Sequence, residues 1–128
     1  MRFVLDTNVL IGAGVRLGDG DQAAISTISL AELHFGVLRA SNQAERAIRL
    51  QRLAAVERSF NALPVDERVA ASYGFIADAV AAAGRQPRTR QFDLLIAATA
   101  HAHGATVLTS DLADFAGLRD LVDVRAAP

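Results

Sequence analysis

Short apolar runs alternate with amphipathic stretches along the chain, and polar or acidic residues punctuate the junctions. Residues 2–6 (RFVLD) read as a buried strand ending in Asp6, because an unbroken apolar run suits a strand covered on both faces. Residues 7–11 begin a short helix that Gly12 and Gly14 stop, and 16–22 (RLGDGDQ) have the composition of a turn. Residues 24–28 form a second candidate strand. A helix then runs from Ser29 to about Ala40, with Leu30, Leu33, Val37 and Leu38 on one face. Ser41 and Asn42 break and recap the chain before a longer helix over 43–61. Its Ile48, Leu50, Leu53 and Val56 fit the helical period, and Arg46, Arg49, Arg52 and Arg58 point largely outward. Residues 63–65 allow only an edge strand. Asp66 caps a helix over 67–83 that Gly84 ends. A basic loop, residues 85–91 (RQPRTRQ), precedes a helix from Phe92 or Asp93 to His103. Residues 105–109 form a strand, 111–115 a short helical turn, and 121–125 a last strand.

Strands alternating with helices predict an α/β fold, a parallel β-sheet flanked by helices on both faces. No internal repeat or linker interrupts the pattern, so one domain is expected over residues 1–128. Aromatics are only 5% of a chain that is 52% hydrophobic, so the core must be aliphatic. No apolar run approaches the roughly 18 to 20 residues that span a bilayer, and MRFVLD lacks the long apolar stretch of a signal peptide. Cysteine is absent, which removes disulfides, thiolate catalysis and zinc–cysteine sites and makes a cytoplasmic location the simplest expectation. The net charge of −1 argues against a broad electrostatic grip on nucleic acid, so any RNA contact must be local. All 13 basic residues are arginine, which excludes lysine-dependent chemistry.

Candidate chemistry lies in acids just past the apolar runs: Asp6 in FVLDTNVLIG, Glu32 in ISTISLAELHFG, Asp93 in QFDLLIAATA and Asp111 in TVLTSDLADF. Each has a plainer explanation. Asp6, Asp93 and Asp111 can be helix N-caps, worth about 1 kcal/mol apiece, and Ser29 with Glu32 fits a capping box. Jointly, however, they fall at one edge of a parallel sheet, where carboxylates brought together repel one another and invite divalent cations. Asp114 follows Asp111 on the same turn and reaches the same region. Hard oxygen donors favour Mg²⁺ or Mn²⁺. Arg85, Arg88 and Arg90 precede Asp93, so their loop hangs over the site, and guanidinium groups suit phosphate. His101 and His103 are two apart on a helix and cannot form a metal pair. They and His34 are expected at the core edge or surface.

The set LDTNVL, SLAELHFG, DLLIAATA and VLTSDLADF resembles the PIN domain and, within it, the VapC-type ribonuclease toxins, in order from residue 3 to about 115. The resemblance implies a three-layer α/β/α fold and hydrolysis of RNA phosphodiesters by a water activated by one or two Mg²⁺ or Mn²⁺ ions. Asp6, Glu32, Asp93 and Asp111 match the family's acids; Asn8 matches its small polar position and Thr109 its hydroxyl before the last acid. A VapB-like antitoxin, a homodimer, a toxin–antitoxin complex, and DNA contact only through the antitoxin are also implied. Leu33, Val37, Leu38, Leu50 and Leu53 are candidates to line a groove for the antitoxin, or else to pack within the chain. Other carboxylate-rich folds fit less well: haloacid-dehalogenase-like phosphatases want a second aspartate where Asn8 stands, and receiver domains want a lysine. The alternative within the family is a catalytically silent PIN-like domain that only binds RNA or protein.

Overall fold

The computed structural model describes residues 1–12 and 14–128. Five parallel strands, β1 (Arg2–Leu5), β2 (Gln22–Ser26), β3 (Asn61–Leu63), β4 (Thr106–Thr109) and β5 (Val124–Ala126), form one sheet in the order β3-β2-β1-β4-β5. The helices are α1 (Thr7–Ile11), α2 (Thr27–Leu38), α3 (Gln43–Ser59), α4 (Glu67–Ala82) and α5 (Gln91–Ala102), with 3-10 turns at Pro87–Arg90 and Leu112–Phe115.

Side-chain alternation along β1 builds both layers. Val4 joins Val69, Ile76, Leu94 and Ile96, from α4 and α5, on one face. Phe3 and Leu5 join Ile25, Leu33, Leu53 and Val56 on the other, under α2 and α3. Val4, Leu5, Ile25 and Val107 have no exposed surface; burying an aliphatic side chain of this size is worth about 1.5–3 kcal/mol. The predicted sheet between helices is therefore the observed one. Because β1 pairs with β2 on one side and β4 on the other, the winding reverses between β1 and β4. A crevice at the carboxyl ends of such strands is where α/β folds place their sites.

Several boundaries differ from the expected ones. The second strand is Gln22–Ser26, not 24–28, and α2 starts at Thr27 because the Ser26 hydroxyl accepts the Ile28 amide as N-cap. Ser29 is therefore inside the helix, and the Ser29–Glu32 capping box does not form. The edge strand is Asn61–Leu63, ending before Pro64, which has no amide to give a ladder. The last strand is Val124–Ala126, not 121–125. Leu121 and Val122 are held in turns by amide bonds to the Leu118 carbonyl, and Leu118 and Val122 are buried over the core. In α3, Ile48 and Leu50 are 58% and 54% exposed, whereas Arg49 reaches inward to donate to the Gly36 carbonyl at 2.7 Å. Of the five residues considered for a partner groove, Leu33, Val37 and Leu53 are core; Leu38 and Leu50 are exposed.

Candidate active site

The crevice is built around Asp6, the first residue after β1. Its amide donates to the Leu108 carbonyl at 2.8 Å, which fixes it against β4. The side chain is buried, and both carboxylate oxygens are engaged: Oδ1 accepts the Thr7 amide at 2.8 Å, and Oδ2 accepts the Thr109 hydroxyl at 2.8 Å. Asp6 does cap α1, as its plainer reading required. Thr109, fully buried at the end of β4, is a hub. Its Oγ1 also accepts from Asn8 Nδ2 at 3.3 Å and from the Asp111 amide at 3.1 Å. Asn8 Oδ1 in turn accepts the Ser110 amide at 3.0 Å. Asn8 and Thr109 thus lock the β4 exit to the Asp6 loop.

Glu32 enters from the second turn of α2. Its Oε1 accepts the Thr7 hydroxyl at 2.7 Å, and Thr7 Oγ1 lies 2.9 Å from Ser29 Oγ. The α2 N-cap is taken by Ser26, so the Glu32 carboxylate is free to face this cluster. Thr7 is not among the residues expected from sequence, and Ser29 is expected there only as a helix-capping residue. The available signal was a hydroxyl directly after the first aspartate and another one helical turn before Glu32. Asp93 is the third residue of α5, whose N-cap is Arg90 without a side-chain bond, so the capping role expected for it is not present.

Electrostatics tie these side chains together. Burial pushes the Asp93 carboxyl up to about 6, helped by the charges of Asp6, Asp114 and Glu32 and opposed by Arg90. Asp6 is also raised, by burial first and then by Glu32 and Asp114, against its two hydrogen bonds. Asp114 is therefore the acid of the 111–115 turn whose charge is felt at both. Asp111 is exposed, and its Oδ1 accepts the Ala113 amide at 3.0 Å as the cap of that turn. Among the described residues no three acids or histidines close a cation cage. The donor chemistry still suits a hard divalent cation: all-oxygen and mutually repelling, with burial and the neighbouring acids opposing ionisation of Asp93 more than the positive charge of Arg90 favours it.

A cleft of about 440 Å³ opens beside the acids, lined by Glu32 and Asp93 together with Arg88, Arg90 and Phe92. Arg90 Nη1 donates to the Ala116 carbonyl at 3.2 Å, and its Nη2 is buried with no hydrogen-bond partner. Arg85 Nη1 donates to the same carbonyl at 3.1 Å. Of the three loop arginines, Arg88 and Arg90 line the cleft and Arg85 is turned toward 116. A cavity of similar size at the opposite sheet edge, lined by Arg2, Gln22, Asn61 and His103, has no carboxylate among its described lining residues.

The PIN domain family model matches residues 3–120. This chain is a PIN-domain protein. Among curated PIN-domain relatives, Ribonuclease VapC4 of Mycobacterium tuberculosis is 36% identical over 94% of this chain and 93% of its own length. Ribonuclease VapC5 of the same organism is 40% identical over 90% and 86%. The crystal structure of VapBC-5, a member of the VapBC family of toxin–antitoxin systems from Mycobacterium tuberculosis, superposes with a TM-score of 0.83 at 35% identity, covering 98% of this chain and 97% of that one. The family expected from the four motifs is thus the family found.

Proposed function

We propose that this chain is a divalent-metal-dependent endoribonuclease, the toxin of a VapBC-type pair, cleaving RNA phosphodiesters by hydrolysis. One observation carries the reading. A buried aspartate, Asp6, and a second, Asp93, whose carboxyl is pushed up to about 6, are each raised by the charges of Glu32 and Asp114, and Asp93 borders a cleft lined by arginines. Kinship with proteins named ribonucleases supports RNA as the substrate.

Asp6, Asp93 and Glu32, with Asp114 or Asp111, would hold Mg²⁺ or Mn²⁺, which supplies water activation and charge neutralisation when bound. The Thr109 and Thr7 bonds hold the Asp6 carboxylate in one orientation, and Thr7 does the same for Glu32. That spares the site the cost of ordering these acids when substrate arrives. Arg88, exposed on the cleft, and Arg90, half-buried beside it, take the RNA phosphates. Arg85 supports the 116 segment and meets RNA only at the rim.

An antitoxin of the VapB kind would lie across the exposed apolar residues Ile11, Phe35 and Leu38, beside the hollow lined by Leu33, Gly36, Arg49 and Arg52. A homodimer, a cytoplasmic site of action and DNA contact only through the antitoxin belong to the same proposal. No helix of the described residues is long and apolar enough to cross a membrane.

Purified protein with total RNA, with and without Mn²⁺, tests this by mapping new ends. Wild type should cut in Mn²⁺, and Asp93→Asn should fold without cutting. Undiminished cleavage in chelator or in Asp93→Asn rejects the assignment. RNA binding without cleavage in any metal would instead mark a silent binding domain.

A further inference from the structure

We propose that the cleft beside the acids is a nucleobase subsite, in which the unpaired base of a nucleotide flanking the scissile phosphate stacks on Phe92. The inference rests on the ribonuclease reading above and names the part of the RNA that the cleft takes. Phe92 sits in the first turn of α5, one residue before Asp93, and is 49% exposed. Its helix does not need it for packing, since Leu94 and Ile96 are fully buried and anchor α5 to the sheet. Among the described residues lining the cleft, Phe92 is the only apolar one; the others are charged or hydrogen-bonding. A protein partner would bury an apolar patch here, whereas a lone exposed ring among arginine, threonine and glutamine suits a flat, polar-edged, negatively tethered group. A nucleobase on a phosphate backbone has those properties.

Size and position agree. Ligand pockets run about 300–1,000 Å³, and this one is about 440 Å³. Glu32 and Asp93 form its wall, so a base held there lies next to the bond under attack. Aromatic rings stack on bases of any identity, and guanidinium planes such as that of Arg88 extend the platform. The base edge would meet Gln91, whose amide both donates and accepts, and Thr89, whose hydroxyl proton already goes to the Gln86 carbonyl at 2.8 Å and which therefore offers an acceptor. The subsite favours single-stranded RNA, because a base inside a duplex cannot leave its stack to enter.

Two assays test this. The first is cleavage kinetics on a short single-stranded RNA with wild type, Phe92→Leu and Phe92→Trp, each checked by thermal unfolding. The second is anisotropy in chelator with a labelled RNA hexamer made abasic at each position in turn. Phe92→Leu should raise KM about 5- to 100-fold with kcat within about twofold, and Phe92→Trp should restore KM. An abasic position should weaken wild-type binding by a similar factor at one place only, and Phe92→Leu should remove that selectivity. An unchanged KM in Phe92→Leu, or equal effects at every abasic position, overturns the subsite while leaving the nuclease intact. Weakened self-association in Phe92→Leu with KM unchanged also overturns it and makes Phe92 a protein contact. Position-selective binding by a wild type that cuts no RNA keeps the subsite and sinks the ribonuclease reading instead.

Discussion

Replacing Asp93 by asparagine should stabilise the metal-free protein while destroying its activity. The carboxyl is pushed up to about 6 from 3.8, by burial and then by Asp6, Asp114 and Glu32. A gap of about two pH units corresponds to about 3 kcal/mol at 1.36 kcal/mol per unit. The side chain is only half-buried, so solvent screening reduces the expected share to about 1–1.5 kcal/mol. Below about pH 4 the carboxyl is protonated in folded and unfolded chains alike, and the folded state carries no penalty. Between about pH 4 and 6 the unfolded chain releases its proton while the folded chain keeps it, so stability falls; above about pH 6 the loss is complete. Asparagine carries no charge at any of these values. Thermal unfolding in chelator at about pH 7.5 should therefore place Asp93→Asn about 3–6 °C above wild type, and the gap should shrink toward about pH 4.5. Saturating Mg²⁺ should raise wild type more than the variant, because only the intact site gains the binding energy. A variant less stable than wild type at about pH 7.5 without metal would refute the reasoning. Asp93 would then be held by a favourable contact such as Arg90 rather than crowded by like charges.

Other changes separate scaffold from chemistry. Thr109→Val leaves Asp6 Oδ2 buried without its donor and should cost about 1–3 kcal/mol in chemical denaturation, whereas Thr109→Ser should recover most of it. Ile76→Ala, in the fully buried layer that α4 packs against the sheet, should cost about 2–5 kcal/mol through the cavity it leaves, with kcat preserved at temperatures where the variant is folded. Arg90→Ala should raise the RNA concentration for half-maximal cleavage more than Arg85→Ala does; the reverse order in steady-state kinetics would place the phosphate contact at the rim.

The layers were legible because strand and helix periods are strong signals. FVL of β1 is buried on both faces, and Asp6 ends it. The acids were legible because their segments follow such runs. What escaped was local competition for caps. Ser26 and Ser29 are equally good N-caps by type, and only the register of β2 against β1 decides for Ser26 and frees Glu32. Asp93 looked like a cap because it precedes LLIAA, yet α5 starts two residues earlier, at Gln91. Ile48 and Leu50 match the helical period as well as Leu53 does. Which of them touches the sheet depends on where α2 crosses α3, and no single-helix pattern contains that crossing. Asp111 and Asp114 are alike in sequence; the 3-10 turn spends the Asp111 side chain on Ala113 and leaves Asp114 half-buried near the other acids. Leu121 and Val122 have strand-like composition, but they close the core through turns.

The central claim is that carboxylates from four segments converge to hold a divalent ion. A crystal of the protein grown with Mn²⁺ and measured at the manganese edge tests it directly. The account predicts an anomalous peak bonded to Asp6 and Asp93 and reached by Glu32 or Asp114, lost in Asp6→Asn crystals. A metal-soaked crystal with no peak among these oxygens, from protein that still cuts RNA, would contradict it.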